Sequence, residues 1–229
     1  MNIIVPMAGL GKRMRPHTLT IPKPLIPIAG KPIVQRLVED IARVCGETVN
    51  EVNFIIHPSF GPDAEKRLAE IAASVGGRCR ISYQDKALGT AHAILCARES
   101  LKGNLVVAFA DTLFRADFRL EKGNPNTIWV QKVADPRAFG VVKLNSQGQI
   151  ADFVEKPEEF VSDLAIIGIY YFQDGEMLNR ELQYLIDHDV KDKGEYQFPH
   201  ISQADGVLSE RCCGRIAAGW LPSSKFGAA

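Results

Sequence analysis

Gly9 and Gly11 are followed at once by Lys12, Arg13 and Arg15, and a little later by Lys23 between Pro22 and Pro24. Glycine permits positive φ and lets backbone amides come close to a ligand. A glycine-turned loop rich in cations and free N–H groups suits a polyphosphate. Taken alone, the glycine pair is explained about as well by a solvated basic turn. Two better-known phosphate motifs do not fit. A Walker A loop needs a glycine five residues before Gly11, and Arg13 follows Lys12 where Ser or Thr would stand. A dinucleotide fingerprint needs Gly or Ala at position 14, which is Met14, and Pro16, Pro22, Pro24 and Pro27 bar a regular helix there. NAD binding is therefore a weak reading, and the stretch is a long, proline-stiffened loop.

Three further stretches carry groups able to do chemistry. In Gln84-Asp85-Lys86-Ala87-Leu88-Gly89-Thr90-Ala91, Gln84 offers an amide to a base edge and Gly89 a close backbone approach. Thr90 opens a helix whose N-terminus favours anions, although an ordinary turn with a Thr cap accounts for the same residues. Asp111 follows an apolar run, where a carboxylate facing phosphates could hold Mg²⁺ but could equally cap a turn. Asp117 is a weaker neighbour, best read as solvated. Gly140 places bare backbone where a ligand could sit. Glu155-Lys156 offers a carboxylate and an ammonium, or simply a surface ion pair. His17, His57, His92, His188 and His200 have no evident catalytic partner and read as structural.

The elements that must carry these groups follow from periodicity. Ile3–Ala8, Val52–Ile56, Cys79–Tyr83 and Leu105–Ala110 read as buried strands. Helices are expected over Pro32–Cys45, Asp63–Val75 and Thr90–Leu101, the first with Ile33, Val34, Leu37, Val38, Ile41 and Val44 on one face. Such alternation means a parallel α/β sheet, whose ligands gather at the carboxyl ends of the strands. The opening loop, Gln84–Ala91 and Asp111 all fall there. Beyond, Asn126–Val133, Gly140–Leu144, Ile150–Val154 and Ala165–Phe172 read as shorter strands of a partly antiparallel extension, and Leu178–Ile186 as a helix.

Composition narrows the function classes. The 229 residues form one domain by default, 46% hydrophobic and 24% charged, with 27 cations against 27 carboxylates. Zero net charge argues against nucleic acid as a partner. No apolar run of about 18 residues offers a membrane span, and Met1–Pro6 is too short for a signal peptide. Five cysteines without a Cys-x-x-Cys pair fit reduced thiols in a cytoplasmic protein.

The stretch Ala8 to Thr18, then Pro22-Lys23-Pro24-Leu25, Pro27 and Gly30-Lys31-Pro32-Ile33, resembles the signature of the sugar-1-phosphate nucleotidylyltransferases, the family of glucose-1-phosphate thymidylyltransferase and the NDP-sugar pyrophosphorylases. Lys12 stands where that family usually has Thr. Gln84 with Leu88-Gly89-Thr90-Ala91 resembles the family's base-binding segment, and Asp111 its strand-then-Asp element. Phe139-Gly140-Val141-Val142 and Val154-Glu155-Lys156-Pro157 are similar to its sugar-binding elements. The resemblance covers about residues 1–198. It implies a Rossmann-like three-layer α/β sandwich with a mostly parallel mixed sheet, of the nucleotide-diphospho-sugar transferase type. It further implies a nucleotide half over 1–115, a sugar-phosphate half over 116–200 and an atypical tail over 201–229.

By the same resemblance, Arg13, Lys23 and Asp111 are the catalytic residues, with Asp111 also holding Mg²⁺. Ala8, Gly9, Gly11, Gln84, Gly89 and Thr90 would bind the nucleotide, and Gly140, Glu155 and Lys156 the sugar phosphate. The implied reaction joins an NTP, UTP or dTTP favoured, to a sugar 1-phosphate, glucose 1-phosphate favoured, and releases pyrophosphate. The chain departs from the family twice. Ile166 stands where many members place a sugar-binding Asn, and Trp220-Leu221 is followed by Pro222-Ser223-Ser224 instead of a second metal-binding Asp. Transfer to another phosphate such as phosphocholine, and a nucleotide-binding protein with weakened catalysis, therefore stand as alternatives. Base, sugar and oligomeric state, homo-oligomer included, stay open.

Overall fold

A computed structural model of the chain describes residues 1–11, 18, 21–111, 113–114, 120, 126–146 and 150–198, and the backbone of 215–218. The elements follow in the order β1 (Asn2–Pro6), α1 (Ile33–Cys45), β2 (Glu51–Ile56), α2 (Gly61–Ser74), β3 (Arg78–Tyr83), α3 (Thr90–Leu95) and β4 (Leu105–Ala108). Then come β5 (Thr127–Lys132), β6 (Gly140–Leu144), β7 (Ile150–Glu155), β8 (Leu164–Phe172), α4 (Gly175–Asp187) and β9 (Arg215–Ala218). The strands make one nine-stranded sheet in the order β9-β5-β8-β4-β1-β2-β3, with β6 branching from β8 and β7 pairing β6.

The first half is parallel, as apolar strands alternating with helices require. β1 pairs β2 on one side and β4 on the other, and β2 pairs β3, all parallel. The second half is mixed: β8 runs antiparallel to both β4 and β5. Successive residues of a strand face opposite ways. Ile3, Val5, Phe54 and Ile56 therefore pack under α1 and α2, and Ile4, Ile55 and Val107 pack against residues of α3 and α4. The result is the expected three-layer α/β sandwich.

Two elements end earlier than their periodicity predicts. α3 stops at Leu95 instead of Leu101, and a 3₁₀ turn takes over at Arg98–Ser100. The Ser100 carbonyl accepts from the Asn2 side chain and its hydroxyl binds Asn53 and Glu51, contacts that a continuing helix would break. β4 stops at Ala108 instead of Ala110. The next amide, Phe109 N–H, donates to Gly168 O, beside the irregularity that shifts the β8 register between Ile166 and Tyr170.

After β3 the chain crosses back and adds β4 on the far side of β1. The strand order reverses between β1 and β4, and open α/β sheets bind ligands outside such a reversal. The loops leaving β1 and β4 are thus the ones that matter. Cys45, Cys79 and Cys96 are free thiols, and burial pushes the Cys45 thiol up to about 12. No helix among the described residues is long and apolar enough to cross a membrane.

Candidate active site

The loop after β1 leaves the sheet with Met7 N–H still donating to Ile55 O at 2.8 Å. Ala8 is half-buried and Gly9 faces open space: a Cβ added at Gly9 would meet nothing within 4 Å. Gly11 has φ +58, and a Cβ there would lie 3.0 Å from Thr18 Cγ2 and 3.3 Å from Lys23 Cβ. The Thr18 hydroxyl donates to Gly11 O at 2.9 Å. Gly11 thus lets the loop fold down onto the root of Lys23. Lys12, Arg13, Arg15 and His17 lie outside the described residues.

Lys23 opens a 3₁₀ turn, Lys23–Leu25, whose Pro24 and Leu25 are buried. A two-residue ribbon follows, Pro27–Ile28 against Lys31–Pro32, and Arg36 of α1 holds it by donating to Ile28 O and Ala29 O. The base of Lys23 is therefore fixed to the core while its ammonium stays accessible. That ammonium lies 3.4 Å from the Asp111 carboxylate, with side chains 31% and 61% exposed. So exposed a pair contributes about 0–1 kcal/mol to stability. The pair lies at the strand-order reversal.

Among the described residues no three His, Cys, Asp or Glu side chains gather as a preformed metal cage. Asp111 supplies one accessible carboxylate. That donor set fits magnesium, which commonly takes one or two protein carboxylates and completes its shell with substrate phosphates and water. Asp117 and the late stretch from Trp220 to Ser224 fall outside the described residues.

Gln84 continues β3, its N–H donating to Ile56 O at 2.9 Å, and only 8% of the residue is exposed. Its side-chain Nε2 lies 3.2 Å from Gly89 O and 3.2 Å from His92 Nδ1. Gly89 has φ +114, and a Cβ there would stand 2.4 Å from Tyr196 O. The close approach that glycine allows at this position is therefore made by the chain's own backbone. Thr90 makes no cap to its helix. Its hydroxyl donates to Gln197 Oε1 and accepts from Phe198 N–H, while Ala91 N–H donates to Tyr196 O. The segment Tyr196–Phe198 is strapped across the start of α3, and Phe198 packs edge-on against Tyr170.

Gly140 and Glu155 are paired at the end of the β6–β7 hairpin. A Cβ at Gly140 would lie 2.8 Å from Glu155 Oε2 and 3.6 Å from Ile166 Cδ1. Lys156 has φ +45, donates its N–H to Phe139 O and holds its ammonium 3.7 Å from Glu155 Oε1. Burial raises the Tyr170 hydroxyl well above the usual phenol range, and the Glu155 charge adds to it. Gly140, Glu155 and Lys156 thus form one group, beside Ile166 where an Asn was expected.

The sequence-derived residues fall into three clusters: Gly11 with Lys23 and Asp111, Gln84 with Gly89 and Thr90, and Gly140 with Glu155 and Lys156. Sequence reasoning missed Thr18, His92 and the Tyr196–Phe198 strap. Thr18 holds Gly11 within one loop, His92 meets Gln84, and the strap meets Gly89 and Thr90, contacts that spacing does not signal.

Fold and site together define an α/β protein of the nucleotide-diphospho-sugar transferase type. The chain belongs to the nucleotidyl transferase family, which it matches over residues 2–210, in agreement with the sugar-1-phosphate nucleotidylyltransferase signature. Among curated proteins it is 33% identical over 182 residues to the bifunctional protein GlmU of Methanococcus vannielii, covering 76% of this chain and 41% of that one. It is 37% identical over 183 residues to the mannose-1-phosphate guanylyltransferase catalytic subunit beta of Xenopus tropicalis, covering 75% and 49%. Its matches thus span only about two-fifths to half of these relatives. Among solved structures, a glucose-1-phosphate thymidylyltransferase described as putative, from Bacillus anthracis, superposes with a TM-score of 0.76 at 25% identity, over 96% of this chain and 87% of that one. A UDP-glucose pyrophosphorylase bound to UDP-glucose gives a TM-score of 0.68 at 25% identity, over 96% and 90%.

Proposed function

We propose that the chain transfers a nucleotidyl group from an NTP to a sugar 1-phosphate. The observation that carries this reading is Lys23 and Asp111, 3.4 Å apart and accessible, at the strand-order reversal. A phosphate oxygen of the sugar phosphate attacks the α-phosphorus and forms the new P–O bond. The bond from the α-phosphorus to the bridging oxygen breaks, and pyrophosphate leaves with the electron pair. Little covalent work falls to the protein, so positioning and charge neutralisation carry the rate. Lys23 draws the two reacting phosphates together. Arg13, by family resemblance, offsets charge on the departing pyrophosphate. Asp111 would hold Mg²⁺, which when bound offsets negative charge on the nucleotide phosphates.

Ala8, Gly9 and Gly11 take the phosphates of the nucleotide, and Gln84, with Gly89 and Thr90 behind it, takes the base. Gly140, Glu155 and Lys156 take the sugar phosphate, which divides one domain into a nucleotide half and a sugar half. The free thiols Cys45, Cys79 and Cys96 support a cytoplasmic setting. Apolar Ile166 beside Gly140 favours a second reading, an acceptor with fewer hydroxyls such as phosphocholine.

Pyrophosphate release with Mg²⁺ tests these readings, with UTP, dTTP, CTP, ATP and GTP each offered glucose 1-phosphate, mannose 1-phosphate and phosphocholine. UTP or dTTP with glucose 1-phosphate is the expected pair. GTP with mannose 1-phosphate would align the chain with the Xenopus relative. Release with phosphocholine alone would establish the second reading. Nucleotide binding without release from any pair would leave a binding protein and defeat the enzyme.

A further inference from the structure

The Gln84 amide is held by two groups that the reaction scheme does not use. Gly89 O is a backbone carbonyl and can only accept, so the group 3.2 Å from it must be the Gln84 nitrogen. That settles which way the amide points, a choice that geometry alone leaves between oxygen and nitrogen. His92 Nδ1 lies 3.2 Å from the same nitrogen, which has only donors to offer. Nδ1 must therefore be an unprotonated acceptor, and the ring proton must sit on Nε2. Burial lowers the His92 pKa and keeps the ring neutral, with the Asp85 charge opposing in part. Both amide hydrogens of Gln84 are then used, and its Oε1 has no hydrogen bond among the described residues.

We infer that His92 is a positioning residue: it locks the Gln84 amide with only its oxygen facing the nucleobase, so the base is selected by a hydrogen-bond donor on its own edge. The inference rests on the proposed function, in which Gln84 meets the base, and deepens it. A freely turning glutamine could pair with either an acceptor or a donor. A locked one makes a single bond, from an imino or amino N–H to Oε1, and cannot donate to a base carbonyl. A base without that donor would cover Oε1 and return no hydrogen bond to it, which is where the discrimination comes from.

Two measurements test this on the full chain. Ring ¹⁵N–¹H correlation spectra of the free protein at neutral pH should show His92 as the Nε2–H form, and an Nδ1–H form overturns the inference. The second compares kcat/KM for UTP with 3-methyl-UTP, and for GTP with 1-methyl-GTP, analogues that lack the imino donor. The wild type should prefer the parent nucleotide by at least about tenfold. His92→Asn, whose Oδ1 can accept near the position of Nδ1, should keep that preference. His92→Leu should raise KM for the parent while largely sparing kcat, and shrink the preference to within about threefold. If His92→Leu keeps the full preference and the parent KM, His92 is merely structural and the inference fails while the proposed function stands. If the wild type releases pyrophosphate from none of UTP, dTTP, CTP, ATP and GTP with any acceptor, the proposed function fails and takes the inference with it.

Discussion

The two edges of the sheet use the same kinds of side chain in opposite ways. At the amino edge, Glu51 at the start of β2 is 4% exposed and saturated with partners. Arg78 Nη2 lies 2.6 Å away and Arg80 Nε 3.2 Å, and Ser100 adds a short hydrogen bond. Burial alone would raise the Glu51 carboxyl, but the bonds from Ser100, Arg78 and Arg80 outweigh it and hold the pKa below its ordinary value of 4.5. At the carboxyl edge, Lys23 and Asp111 make one loose, exposed contact, and Glu155 and Lys156 another at 3.7 Å. Charges already satisfied by protein serve the fold. Charges left under-satisfied at the strand reversal are available to phosphates. The difference separates ionisable groups tied into the fold from those the proposed function uses, where composition, with its even balance of charge, does not.

Substitutions at the two edges should therefore part company. Lys23→Ala should cut pyrophosphate release by about a thousandfold and leave the calorimetric melting temperature nearly unchanged. A large drop in melting temperature would mean the pair is structural after all. Gly89→Ala lies between the two kinds. Its methyl would collide with the Tyr196 backbone at positive φ, so it should cost about 3 kcal/mol in chemical denaturation and weaken nucleotide binding measured by calorimetry. Glu51→Gln should cost about 2 kcal/mol with kcat/KM unaltered. Its effect has a pH signature. The depressed Glu51 pKa makes its stabilisation complete above pH 4.5 and lost as pH falls through the lower folded value. Denaturation curves of wild type and Glu51→Gln should therefore converge on acidification below that point, and parallel curves would remove Glu51 from the account.

Much of this was legible before any coordinates. The apolar runs of β1, β2 and β4 and the helical face of α1 impose the parallel half of the sheet. The parallel half places the opening loop, Gln84 and Asp111 at one edge. The resemblance names both Lys23 and Asp111 but not their contact, because they stand 88 positions apart and meet only through the strand order. Thr90 illustrates the limit. Its place before a helical run reads as a cap, yet its hydroxyl is spent on Gln197 and Phe198, which no local pattern announces. His92 reads as structural for the same reason, since its partner Gln84 lies just past the strand before its own helix. The early end of α3 was hidden likewise, in contacts that Ser100 makes with β2.

The strap across Gly89 and Thr90 also bears on how the protein is born. Thr90 meets Gln197 across 107 positions of sequence. A ribosome adding about 5–20 residues per second needs roughly 5–20 s to cover that distance. Until then the loop behind Gln84 lacks the backbone that closes it, although the strands on either side are already made. On the proposed function, a nascent chain halted before residue 196 should thus lack a finished base site, and gain tight nucleotide capture only as the last strap residues emerge.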